Sequence, residues 1–107
     1  MADKLIQVVW ELRVKAGCEA EFETHYASDG SWARLFRKGV GYLGTVLVRD
    51  EREPRHYLLT DTWRDLASLE AFRRDFAHEY EALDRSCEAL TEEERLVGHF
   101  PLADQAP

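Results

Sequence analysis

No run of apolar residues in this chain approaches the roughly 20 needed to cross a bilayer as a helix, and cations are in the minority. Fourteen Lys and Arg stand against 21 Asp and Glu, a formal net charge of −7. Nucleic acid and anionic membranes both need clustered Lys and Arg, so neither is an expected partner. The one basic cluster is Arg34, Arg37 and Lys38. It reads either as a small anion-attracting mouth or as a solvated helix end whose cations suit the dipole. Cysteine is limited to Cys18 and Cys87, which form no Cys-x-x-Cys pair, so there is no redox or zinc motif. No two histidines show metal-ligand spacing, and no metal is expected. A phosphate loop, a nucleophile elbow and a dinucleotide fingerprint are all missing. The opening Met1-Ala2-Asp3-Lys4 contains an acidic residue and the apolar run after it is too short for a signal peptide, so the expected location is the cytoplasm.

What the chain does have is aromatic mass and strong patterning. Five Phe, four Tyr and three Trp lie among 107 residues, a length that fits one domain spanning 1–107. A domain of this size buries only about 60–70% of its unfolded surface, and a partner subunit is one way to thicken so small a core.

From Leu5 to Val14, Ile6, Val8, Trp10, Leu12 and Val14 share one parity and are all apolar, which is a strand with one buried face. The other parity (Leu5, Gln7, Val9, Glu11, Arg13) is mixed. Lys15-Ala16-Gly17 turns the chain into a helix from about Glu19, with Phe22 and Tyr26 inward. Ser28-Asp29-Gly30 interrupts it, and Ser31 to Lys38 forms a second short helical piece. Tyr42 to Arg49 and His56 to Trp63 are strands joined by a charged hairpin loop.

Leu66, Leu69, Phe72, Phe76, Tyr80, Leu83, Cys87 and Leu90 recur every three or four residues, predicting one long helix. Thr91-Glu92-Glu93-Glu94 fits a capping box opening a last helical turn, and Arg95 to Phe100 a final strand. The order β-α-β-β-α-β is that of a ferredoxin-like α+β domain, with helices on one face of a four-stranded antiparallel sheet. Leu43, Leu47 and Val9 leave the opposite face partly apolar, and such a patch usually marks an interface. A homodimer is expected.

Val14-Lys15-Ala16-Gly17 with Glu19 and Phe22, Gly41-Tyr42-Leu43-Gly44, and Asp61-Thr62-Trp63 ahead of Ala71-Phe72 give the chain a resemblance to the antibiotic biosynthesis monooxygenase family of the dimeric α+β barrel superfamily. The likeness runs from Val8 to Phe100. It implies two sheets packed into a barrel and a pocket in each subunit between sheet and helices, in a family whose members include cofactor-free oxygenases of polycyclic phenols, haem-degrading enzymes and many proteins without known activity. The haem-degrading branch needs an Asn on the first strand, a Trp early in the second long helix and a His about ten residues later. The matching positions here are Trp10, Phe72 and Ala82. The commoner oxygenase pattern places a His nine or ten residues after the strand-ending Trp, where this chain has Phe72 and Arg73. No cofactor is expected.

Asp61 is the least explained residue, because Asp is depleted in strands. It lies at the sheet edge, pairs with Arg13 or Arg49 across a dimer, or sits in a desolvated pocket with a raised pKa suited to a general base. His25 is either a surface partner of Glu21 or a proton acceptor reaching the pocket. Trp10, Trp32, Tyr57, Trp63 and Phe72 are the expected walls for a small aromatic ligand, though Trp10, on an all-apolar strand face, reads first as core packing and Trp63 serves equally as either. The first functional reading is a cofactor-independent monooxygenase-like enzyme acting on a phenol or enol. The alternatives are a non-catalytic small-molecule binding or stress-related domain, or an isomerase or dehydratase on the same scaffold. A drug-sized pocket would measure roughly 300 Å³ or more.

Overall fold

In the computed structural model, which describes residues 4–105, the elements are β1 (Ile6–Val14), α1 (Glu19–Tyr26), α2 (Ser31–Phe36), β2 (Tyr42–Arg49), β3 (His56–Trp63), α3 (Leu66–Asp75), α4 (Ala77–Cys87) and β4 (Thr91–Pro101), with a 3₁₀ turn at Glu88–Leu90 before the last strand. Met1, Ala2 and Asp3, on which the signal-peptide reading rests, lie outside the described residues. No helix among the described residues is long and apolar enough to span a membrane.

The four strands form one antiparallel sheet in the order β2-β3-β1-β4, the expected ferredoxin-like α+β arrangement. Strand alternation decides what is buried. Ile6, Val8, Leu12 and Val14 of β1 and Tyr57, Leu59, Asp61 and Trp63 of β3 point toward the helices and are buried. Phe22 and Tyr26 of α1, Trp32, Leu35 and Phe36 of α2, and Leu69 and Phe72 of α3 close over them. The turn from α1 into α2 is tight: a Cβ on Gly30 would lie 2.6 Å from the His25 carbonyl oxygen. Asp65 caps α3 by accepting the Ser68 amide at 2.7 Å, as a short acceptor before an apolar run should.

Three sequence expectations change. The helix predicted over Leu66 to Leu90 is broken at Phe76, whose φ of −118° and ψ of 28° end α3 and open α4. No Gly or Pro marks that site. The stripe is also unevenly buried: Leu66 is exposed, Leu69 and Phe72 are buried, Phe76, Tyr80 and Leu83 are half-buried, and Cys87 and Leu90 are buried again. Its middle therefore stands off the sheet.

The capping box at Thr91 to Glu94 is not a helix start. Thr91 is extended and β4 begins there, because Val14, Arg13 and Leu12 of β1 reach far enough to pair with Thr91, Glu93 and Glu94. Ladder hydrogen bonds satisfy that backbone instead of a helical turn.

Finally, Leu47 lies opposite Leu59 and packs against the core. A register shift between Tyr42 and Gly44 leaves Val46 and Val48 on the outer face, 61% and 50% exposed, near Leu58 at 40%.

Candidate functional site

The half-buried middle of the stripe leaves a cavity of about 170 Å³ between sheet and helices. Strands β1 and β3 supply its floor (Trp10, Leu12, Leu59, Asp61), α1 and α2 supply Tyr26, Trp32 and Phe36, and α4 supplies Tyr80 and Asp84. Glu94 of β4 completes the rim. The rings interlock: Trp32 lies 4.9 Å from Tyr80, edge to face, and 5.8 Å from Phe36 between centroids. A smaller compartment of about 30 Å³ adjoins it, sharing Trp10, Phe36, Asp61 and Tyr80 and adding Trp63, Phe72 and Arg73.

Asp61 stands where the two compartments meet. It is only 4% exposed, on an inner strand of the sheet, so the sheet-edge location does not hold, and within one chain both candidate arginines lie against other carboxylates. Arg13 faces Glu53 at 3.5 Å and Arg49 faces Glu23 at 3.5 Å. Among the described residues Asp61 has one hydrogen-bond partner, the Thr45 hydroxyl, which donates to Oδ1 at 2.6 Å. Oδ2 has none. Burial raises the carboxyl pKa to about 6, opposed in part by the Thr45 bond, which favours the ionised form. Thr45 has one hydroxyl proton and spends it on Asp61, so the Tyr42 hydroxyl, in contact with Thr45 Oγ1, must donate to it. A chain of hydroxyls thus runs from half-buried Tyr42 through Thr45 to the carboxylate.

The other walls differ in character. Burial raises the pKa values of both Tyr26 and Tyr80, so both are neutral near pH 7. Trp32 is 6% exposed and its Nε1 has no hydrogen-bond partner. It lies near enough to the Tyr26 hydroxyl and the Cys87 thiol to favour their ionised forms slightly, without making a bond of ordinary geometry to either. Glu94 Oε1 accepts the Tyr26 hydroxyl at 3.5 Å and that of Thr91 at 3.3 Å. Burial, then the charge of Asp84, raises its pKa.

Of the residues singled out from sequence, the structure brings Asp61, Trp10 and Trp32 to the larger cavity and Trp63 and Phe72 to the smaller one. Tyr57 lies away from both. It packs 4.7 Å from Phe22 and donates its hydroxyl to Glu23 Oε2 at 2.6 Å. His25 lines neither compartment. Its Nδ1 shares a hydrogen bond of 2.8 Å with Ser31 Oγ, in place of the expected Glu21 pairing, and so ties the end of α1 to the start of α2. Among the described residues no three of His, Cys, Asp and Glu converge as a metal site requires.

Sequence reading missed Thr45, Tyr42, Asp84 and Glu94. Thr45 carried no signal of its own, because the register shift between Tyr42 and Gly44 is what sets it opposite Asp61 across the β2–β3 pair. Asp84 lies off the apolar stripe that drew attention to this helix, and Glu94 reads in the sequence as part of a capping box.

No curated protein gives a significant match. Among solved structures, SnoaB, a cofactor-independent oxygenase from Streptomyces nogalater, superposes with a TM-score of 0.77 at 21% identity, over 97% of this chain and 98% of that one. PA3566 from Pseudomonas aeruginosa gives 0.70 at 18% over 99% of each chain. A conserved protein from Methanosarcina mazei Go1 gives 0.69 at 22% over 91% of each. Those likenesses carry the fold. Residues 5–79, most of the sheet and the helices over it, match the family described as antibiotic biosynthesis monooxygenase, and the chain belongs to that family.

Proposed function

We propose that the chain is a cofactor-independent monooxygenase acting on a small phenolic or enolic substrate, with Asp61 as the base. One observation carries the reading: a buried carboxylate with a free oxygen faces a cavity lined largely by aromatic and aliphatic side chains, with Asp84 and Glu94 at its rim. Core positions rarely hold an unpaired carboxylate unless it has work to do. SnoaB, a cofactor-independent oxygenase of similar fold, supports the same chemistry.

In this reading the substrate hydroxyl donates to Asp61 Oδ2, and proton transfer leaves an electron-rich anion stacked among Trp10, Trp32 and Tyr80. The anion passes an electron to dioxygen. The radical pair joins to form a C–O bond, and the hydroperoxide loses water to leave a quinone. Phenol plus O₂ gives quinone plus H₂O, so the substrate's own four electrons reduce the oxygen and no external reductant is required. A hydroxyl with pKa near 10 gives its proton uphill to a group near 6, at about 1.4 kcal/mol per unit, so acidic phenols and enols are favoured. The cavity size bears on substrate too. About 170 Å³ is close to the roughly 150 Å³ that encloses one benzene, so the site suits one ring, not the polycyclic skeletons the family resemblance implies. Trp63 and Phe72 back the base from the inner compartment. His25 and Tyr57 hold the scaffold.

The outer sheet face supports a second subunit. Val46, Val48, Leu58 and Phe100 leave apolar area in water that a second sheet would cover. The experiment is oxygen uptake across a panel of single-ring phenols and enols. Turnover by the wild type that is lost in Asp61→Asn supports the proposal. Equal turnover by both overturns it, and binding without turnover by either favours the non-catalytic alternative.

A further inference from the structure

We infer that the cavity selects substrates carrying an organic ammonium group, held at the rim between Asp84 and Glu94 over the faces of Trp10, Trp32 and Tyr80. The inference rests on the reading above, in which the ring's hydroxyl lies at Asp61, and it names the substrate class.

Charge is the first argument. Every ionisable acid or base on the larger cavity, tyrosines aside, is a carboxylate: Asp61, Asp84 and Glu94. No Lys, Arg or His lines it. Arg73 borders only the inner compartment, where its guanidinium donates to His99 Nε2 at 3.2 Å.

The rim acids are also unspent. The described chain forms nine ion pairs, and neither Asp84 nor Glu94 takes part in any of them. Glu94 uses one oxygen for two long bonds from neutral hydroxyls, while its neighbour Asp84 disfavours its charge. Two unpaired carboxylates close together repel, and a cation placed between them relieves the repulsion.

Aromatic faces are the third argument. Trp and Tyr rings attract a cation through their quadrupole, most strongly when water is excluded. An aromatic cage under an acidic rim is the chemistry that recognises an alkylammonium. Independently of the rim, Asp61 Oδ2 is an acceptor without a partner among the described residues, on a buried residue that lines the cavity, and a ligand hydroxyl satisfies it at the other end. The reaction adds a reason of its own. An anion formed among carboxylates lacks a counter-charge in the wall, and a substrate with an ammonium group brings one.

Four probes of one shape test this: tyramine, neutral 4-ethylphenol, anionic 3-(4-hydroxyphenyl)propionate, and phenethylamine, which lacks the phenol. Binding is read by tryptophan fluorescence and ligand-observed NMR at low salt. Tyramine should bind about tenfold tighter than 4-ethylphenol, a gap equal to roughly 1.4 kcal/mol, and the propionate should bind weakest. Asp84→Asn with Glu94→Gln, both exposed and isosteric changes, should bring tyramine down to the level of 4-ethylphenol. The inference is overturned if 4-ethylphenol or the propionate binds as tightly as tyramine, or if the double variant keeps the preference. If phenethylamine binds as well as tyramine, the ammonium site stands and the hydroxyl-at-Asp61 reading falls. Silence from all four probes at millimolar concentration overturns both.

Discussion

Thr45 and Asp61 face each other across the β2–β3 pair, and the Thr45 hydroxyl donates to the only Asp61 oxygen that the described chain satisfies, at 2.6 Å. One bond on a carboxylate this deeply buried does not offset desolvation, so the pKa sits at about 6 against an ordinary 3.8. The arrangement is poised between a structural acid and a working base.

The first prediction is one of pH and stability. A carboxyl whose folded pKa is raised keeps its proton longer when folded than when unfolded. The native state therefore binds more protons between pH 3.8 and about 6, and stability falls as pH rises through that window. Asp61→Asn removes the charge and keeps an acceptor for Thr45. It should stabilise the protein by on the order of 2–3 kcal/mol at pH 7 and by almost nothing below pH 3.8. Denaturant melts at the two pH values check this; destabilisation at pH 7 would show that the charge is paired.

A second prediction joins that bond to turnover. If Asp61 acts ionised, kcat/KM should climb through a limb near pH 6. Thr45→Val deletes the hydrogen bond that favours the ionised form, so the limb should move to higher pH. A profile unmoved by Thr45→Val assigns the limb to another group.

His56 lies between Glu11, at 2.7 Å from Nε2, and Asp50, at 3.1 Å from Nδ1. Both carboxylates raise its pKa above the ordinary 6.5, Asp50 most. The sign is that of a cation gaining partners: the stabilisation is whole below pH 6.5 and is lost as pH rises through the folded value. Thermal melts of wild type and His56→Gln should therefore converge as pH rises. NMR titration of the His56 ring should give a midpoint above 6.5, and a midpoint below it would refute the arrangement.

The two halves of the helical stripe should differ. Phe72 is 2% exposed and touches Phe36 and Trp63 at centroid distances of 5.2 Å, so Phe72→Ala should cost about 3–5 kcal/mol. Phe76, half-buried at the helix break, should cost about half as much when truncated. Equal losses would mean that the break does not lift the stripe.

Dimerisation is testable without activity. Light scattering should give twice the chain mass, and Val46→Glu with Leu58→Glu should give the monomer, because each places a charge on the apolar outer face. A wild-type monomer at micromolar concentration would rule the dimer out.

By itself the sequence determined the α+β class, the strand faces and most of the core. Those follow from period-two and period-3.6 burial, which are local properties of strands and helices. It therefore marked Asp61 as anomalous, a carboxylate on a parity otherwise held by Tyr57, Leu59 and Trp63. Tertiary structure decided the rest. The break at Phe76 carries no Gly or Pro to announce it, and the start of β4 at Thr91 depends on how far β1 extends to pair with it. Local capping chemistry argued for helix there, and long-range ladder bonds won. The same non-local facts place Asp84 and Glu94, distant in sequence from Asp61, on one cavity, and send His25 and Tyr57 elsewhere. Periodicity says which way a side chain points from its own element; what it meets there depends on how far the opposing element stands away.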